Sequence, residues 1–312
     1  MVRYVLKRFI MAVITILVVT TITFFLMHVI PGDPFTKEGN MPPGVYQNLT
    51  KYYHLDKPLL VQYGMYLKSL AHFDFGPSLK SDVISVNDYI KNGAPISFHL
   101  GLQALAIALF FGLILGVVAS LNHNRWPDFL CMVMAIIGIS VPSFIMATFL
   151  INYIAVDLGI LPVAQWGTWQ QTILPSISLA MMPMAFVARL MRSSMLEVLG
   201  QDYIKTAKAK GLTKNVVIVK HAIRNAVLPI ISVLGVIAAN LVTGSFIIEY
   251  IFGIPGIGEM FVKGIQNRDY PVILGSSIFY CAILVMLMFI VDIAYTLIDP
   301  RIKLTGGTKD AI

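Results

Sequence analysis

RLMRSSMLEVLGQDYIKTAKAKGLTKNVVIVKHAIRNAVLP, residues 189–229, is a polar interval set between long apolar runs. It holds eight of the chain's 23 Lys and Arg residues (Arg189, Arg192, Lys205, Lys208, Lys210, Lys214, Lys220 and Arg224) against two acids, Glu197 and Asp202. The pattern predicts a short helix inside it. Asp202 is placed to act as N-cap, its carboxylate accepting from the free N–H groups of the first turn. Ile204, Ala207 and Gly211 then share one face at spacings of three and four, with Lys205, Lys208 and Lys210 fanned around it. Ala207 and Gly211 are small residues four apart, a spacing that lets another surface approach the backbone closely. Thr213 is placed to cap a second short helix over 214–224, ending before Pro229. Two readings stand at this point. The interval is a basic loop that only orients the neighbouring membrane helices, or it is a contact surface for a partner.

Outward from this interval the chain turns apolar. Of its 312 residues 57% are hydrophobic and 12% charged, and the mean hydropathy is +0.78. That charged share is about half the usual one for globular proteins, and the composition is that of an integral membrane protein. The net charge of +7 would point to nucleic acid if it formed one exposed face. It gathers instead at the ends of apolar runs, as membrane flanks do, and a nucleic-acid partner is excluded. Cys131 and Cys281 both fall in apolar runs and support neither a disulfide framework nor a zinc site.

Arg3, Lys7 and Arg8 precede an uncharged run over 9–29. A signal peptide would have an apolar core of about 7–15 residues followed by a small-residue cleavage site. This run is longer and ends in His28-Val29-Ile30-Pro31-Gly32-Asp33-Pro34, so it reads as a retained transmembrane helix. An insert of mixed charge follows over 31–97, with helices predicted at 58–72 and 85–92 forming a cap on the outer face. Further spans are predicted at 98–121, 129–156, 172–188, 226–250 and 272–298. Gly138 and Pro142 invite a kink in the third, and Pro175 and Pro183 break the fourth. Ile251 to Pro271 form a Gly-rich outer segment. The fold class is therefore all-α, an integral membrane protein with six transmembrane helices. Its parts are 1–30, the insert 31–97, a core 98–298 and a tail 299–312. Segments on the side of the termini carry 15 basic residues, whereas the short outer loops carry two, Lys263 and Arg268. That asymmetry predicts that the interval 191–224 and both termini face the cytoplasm.

The basic interval resembles the "EAA" loop of ATP-binding-cassette importer permeases, with Lys205-Thr206-Ala207 at the triplet, Gly211 at the family glycine and Leu228-Pro229 at the closing pair. DYIKTAKAKGL followed by KHAIRNAVLP is typical of the peptide and nickel branch. The likeness recurs in RYVLKRFIMAV…FFLMHVIPGDP, GISVPSFIMA, GSFIIEYIFGIPGIGEMFVKGIQNRDYPVI and VDIAYTLIDPRIKL, and so runs from end to end. Within the branch the wording is most similar to B-type subunits of bacterial oligopeptide and dipeptide importers. The resemblance implies a type I importer permease fold moving peptides, or alternatively nickel or another small solute, by alternating access. It also implies a second permease subunit, two ABC ATPase subunits and an extracytoplasmic peptide-binding protein. Asp202, Tyr203, Ile204, Ala207, Lys208, Gly211 and Leu212 would form the ATPase-coupling helix, with Pro183, Gly200 and Pro229 as bending points.

Catalytic chemistry finds no support in the residues. There is no Gly-Lys dipeptide, hence no P-loop, and no His-Glu pair for a zincin. Gly138-Ile139-Ser140 lacks the histidine partner a serine protease needs, since the last three predicted spans contain no His. No cofactor or metal is expected. Two acids near the membrane remain. Asp292, inside the sixth span, is a substrate or ion contact or else a structural pair. Glu249, at the outer end of the fifth, is a gating or receptor contact or else a solvated interfacial charge. An ion-coupled secondary transporter is the rival from another class; it would carry its own ion sites and often repeated halves, and no clear internal repeat is present.

Overall fold

The computed structural model describes residues 2–29, 43–81, 84–243 and 245–298. The tail 299–312 and the start of the insert, 30–42, lie outside them. The first helix, α1 (Val2–Val29), carries Leu6, Phe9, Met11, Ile22 and Leu26 about half exposed along its length. Apolar side chains left uncovered along a long helix are what a lipid solvent requires. In the insert, which holds α2 (Pro43–Tyr52) and α3 (Leu59–Leu70), α3 meets α1 through aromatic contacts, Phe24 lying 5.3 Å from the Tyr63 ring and 6.0 Å from that of Tyr66.

The helix expected at 85–92 and the span expected at 98–121 are one element, α4 (Val86–Leu121). Ser85 caps it: its Oγ accepts from the Asp88 N–H, and its own N–H donates to the Asp88 carboxylate at 3.1 Å. Next, α5 (Trp126–Ser140) and α6 (Ser143–Leu150), the latter extended by a π-helical turn over Ile151–Asp157, meet at a 108° bend. The expected kink is thus a full break at Pro142, which has no N–H to continue the ladder. Gly138 does something else: a Cβ there would sit 3.0 Å from Ala185 Cβ, so it allows close packing.

The expected proline breaks in the fourth span are absent, because α7 (Trp169–Leu199) runs unbroken past Pro175 and Pro183. Tertiary packing overrides propensity here. α7 is the central helix, packed on α4, α5 and α6, and a Cβ at Gly116 of α4 would fall 2.5 Å from Met191 Cβ. The basic interval supplies the end of α7, then α8 (Asp202–Ala209), α9 (Lys214–Val216), a π-helical stretch over Val217–Ile223 and α10 (Arg224–Ala226). The second helix ends at Ala226, ahead of Pro229 as expected, and after the single turn residue Val227 α11 (Leu228–Val242) begins. The span expected at 226–250 is interrupted near Thr243 and resumes as α12 (Phe246–Ile251). Most of the Gly-rich segment is helix, α13 (Ile257–Asn267), before α14 (Tyr270–Ile298) closes the bundle. Among the described residues five helices are long and apolar enough to cross a membrane, and six if the bent α5–α6 pair counts as one span.

Candidate functional site

At the basic end of α7 the chain folds back on itself. Ile204 and Ala207 of α8 press into an apolar cluster with Met191, Met195, Val217, Ala222, Ala226 and Ile230. The predicted face is real, but it points inward: Ala207 is buried against its own chain rather than offered to a partner, because α8 needs an apolar foot. Gly211 is exposed and ends the helix. Its φ of +79° lies in the left-handed region, its N–H donates to the Lys208 carbonyl at 3.0 Å, and the Leu212 N–H reaches the Ala207 carbonyl at 3.4 Å. That is a Schellman turn, whose left-handed position favours glycine. The predicted N-cap is off by one residue. Gln201 is the cap, and Asp202 begins the helix with its carboxylate on Lys205 Nζ at 2.8 Å. The outward face therefore presents Asp202, Tyr203, Lys205, Lys208 and Leu212. Tyr203 is steadied by Asn225 Nδ2, which donates to its hydroxyl at 3.1 Å.

One turn up α7, Arg192 grips Asp128 of α5 through Nε at 2.6 Å and Nη2 at 2.7 Å. The Asn124 N–H also donates to this buried carboxylate at 3.0 Å. Sequence reading passed over Asp128, whose signal was a lone acid in an otherwise basic short turn. The pair fastens the α4–α5 turn to the base of the elbow.

The opposite end of α7 meets the glycine-rich corner, where the Gln165 N–H donates to the Phe252 carbonyl at 2.8 Å. Glu249 is fully buried there, which removes the solvated reading. Its Oε2 accepts from Ser97 Oγ of α4 at 3.0 Å and from the Gly258 N–H of α13 at 2.8 Å. Nearby, Asp269 caps α14 and accepts from the Leu79 N–H at 3.1 Å and from Ser78 Oγ, tying the insert to the α13–α14 corner. Neither Ser97 nor Asp269 was singled out by sequence. Asp292 pairs with Arg8 Nη1 of α1 at 2.9 Å, the structural-pair alternative. No group of three or more His, Cys, Asp or Glu side chains suited to a metal occurs among the described residues.

A helical membrane protein with a displayed basic elbow at one end and a buried polar corner at the other has the form of a transport component rather than an enzyme. Residues 108–304 match the family described as binding-protein-dependent transport system inner membrane component, and residues 1–77 match its N-terminal counterpart. The chain belongs to this family of inner membrane components. It is 55% identical to the dipeptide transport system permease protein DppB of Bacillus subtilis (strain 168) over 304 residues, 97% of this chain and 99% of that protein. With the oligopeptide transport system permease protein OppB of Haemophilus influenzae it shares 44% identity over 305 residues, 97% and 100% of the two chains. Its fold resembles that of the MetNI methionine ABC transporter in an inward-facing crystal form, with a TM-score of 0.54 at 18% identity, covering 67% of this chain and 94% of that one.

Proposed function

We propose that this chain is the membrane-spanning permease subunit of an ATP-driven importer that carries dipeptides or oligopeptides into the cell by alternating access. The near full-length likeness to DppB and OppB, named for dipeptide and oligopeptide transport, supports the substrate class. The observation that carries the coupling assignment is α8, a short helix rooted on apolar side chains at the end of α7 with a basic, aromatic outer face. One of two ATPase subunits would receive that face in a surface groove, and closure of the pair on ATP would move α8 as a lever on α7 and α11. A second permease completes the pore, and an extracytoplasmic peptide-binding protein delivers substrate to the opposite side, where the insert lies. The elbow and both termini face the cytoplasm, as the charge bias requires. Asp202, Tyr203, Lys208 and Leu212 are the contact residues, while Ile204, Ala207 and Gly211 shape and seat the helix.

Copurification in nanodiscs tests this. ATPase subunits are expected with the wild type and lost with a Lys208→Glu, Leu212→Glu double variant that leaves the apolar foot intact. Retention by that variant moves the contact elsewhere. ATP-independent uptake of radiolabelled dialanine would turn the reading toward an ion-coupled secondary transporter, and nickel uptake in place of dialanine toward a metal importer.

A further inference from the structure

The glycine-rich corner is built around one carboxylate. Glu249 has no solvent exposure and follows Ile248, which belongs to an apolar cluster with Leu100, Phe252 and Ile254. Its Oε2 accepts from Ser97 Oγ and the Gly258 N–H, and Ser97 Oγ in turn accepts from the Ile257 N–H at 3.0 Å. The two backbone donors belong to the first turn of α13, where N–H groups lack intrahelical partners and the helix dipole favours negative charge. Glu249 of α12 and Ser97 of α4 thus cap α13 from outside. The glycines fit this arrangement. A Cβ at Gly256 would lie 2.2 Å from Glu249 Oε2 and 2.5 Å from Ser97 Oγ, and one at Gly258 would lie 2.9 Å from the same carboxylate oxygen.

The corner is also incompletely satisfied. Glu249 Oε1 is enclosed and meets no hydrogen-bond donor, and the donors to Oε2 are neutral groups. A buried carboxyl group with one oxygen left without a donor is costly, and an arrangement that wets or donates to that oxygen would recover part of the cost. Flanking it, Gly253 sits at φ +59° between α12 and α13.

We propose that Glu249 is a positioning residue for transport, the latch that holds α13 against α4 and releases it as a unit when the outer face opens. This rests on the importer reading only where uptake is measured. The test compares Glu249→Leu, which fills the space without an acceptor, with Glu249→Gln, which keeps one, using the full chain in nanodiscs with the subunits that copurify. Spin labels at Lys91→Cys on α4 and Asn267→Cys on α13, with Cys131 and Cys281 replaced by Ser, report the separation of the two helices. The Leu variant is expected to populate the wider separation about tenfold more than wild type, the net weight of the two hydrogen bonds it removes, from Ser97 and Gly258. Dialanine uptake by cells should fall by a similar factor. The Gln variant stays within about twofold of wild type on both readouts. Wild-type distances and uptake in the Leu variant overturn the proposal, and so does a Gln variant that behaves like Leu. Should the Leu variant fail to assemble, Ser97→Ala decides, since it removes a donor to Glu249 and the acceptor for Ile257. An unchanged distance there means no latch. If the wild type takes up no dialanine, the importer reading falls and the label distances alone judge the latch.

Discussion

At one end of α7, α8 is seated by aliphatic and small side chains, Ile204 and Ala207 pressed among Met191, Met195 and Val217. At the other end, α13 is seated by hydrogen bonds from its first turn to Glu249 and Ser97. Between them runs α7, whose 31 residues make a helix about 45 Å long. The contrast is one of directionality. Apolar contact is roughly proportional to buried area and tolerates small slides, so α8 is able to follow a push and stay attached. Hydrogen bonds to a buried carboxylate are made or broken within a narrow range of distance and angle, which suits a corner that is either shut or open. Under the proposed lever, an unbroken α7 between an apolar foot and a hydrogen-bonded corner would be the route by which a push at one end is read at the other.

The largest expected effect comes from the charged fastening between α5 and α7 at the basic end. Arg192→Ala leaves the Asp128 carboxylate buried with its bidentate partner gone, and destabilises by about 3 kcal/mol, less than for a fully enclosed pair because Arg192 is partly exposed. Adding Asp128→Asn should recover most of that loss in a thermal-unfolding cycle. An unchanged melting point in Arg192→Ala would show that the pair fastens nothing, and the apolar foot would then hold the basic end.

Next comes Gly256→Ala at the other end. Its backbone is unstrained, so the expected cost is steric, about 2 kcal/mol of overpacking as Glu249 and Ser97 are pushed apart. The same change should raise the α4–α13 label distance. Lost stability with an unchanged distance would separate packing from latching and weaken the contrast between the two seats.

Much of this was legible in the sequence. Six apolar runs, the insert, the basic elbow and the shared face of Ile204 and Ala207 follow from composition and periods of three and four. Three kinds of feature were not. Proline is a local signal, and α7 passes Pro175 and Pro183 because three helices pack around it. Pro142, at a less enclosed site, breaks its span outright. Partner choice was also hidden: Ala207 is small and regularly spaced whether it meets another protein or its own chain, and only the three-dimensional contact tells which. The polar fastenings join residues far apart in sequence, 152 positions for Ser97 and Glu249, 64 for Asp128 and Arg192, and 191 for Ser78 and Asp269. No local periodicity carries such pairs. Glu249 was noticed only as an isolated acid beside glycines, and its depth of burial came from the fold.

Gly211→Ala is a smaller perturbation, confined to the turn after α8. Nothing lies near the added methyl, so the cost is the left-handed backbone alone, about 1 kcal/mol. It should appear as faster proteolysis within 208–214 while the midpoint of the bundle holds. A fall in that midpoint as large as the one for Gly256→Ala would mean that the elbow is part of the core and not a seated lever.

The smallest effect on stability is expected from Lys205→Ala. Its pair with Asp202 is 2.8 Å long, but the two side chains are 70% and 93% exposed, and water screens such a pair to below about 0.5 kcal/mol. The chain itself should therefore melt as wild type does. What changes is the positive field on the outward face of α8, which Lys205 shares with Lys208 and Lys210; under the proposed docking of that face, such a field acts on association more than on the bound state. ATPase copurification should drop by about twofold at low salt, and the difference should vanish as salt shortens the Debye length to a few ångströms. A large stability loss from Lys205→Ala, or a salt-independent loss of partner, would mean that the outer face of α8 is held by directional contacts of its own. The two ends of α7 would then differ in position but not in kind.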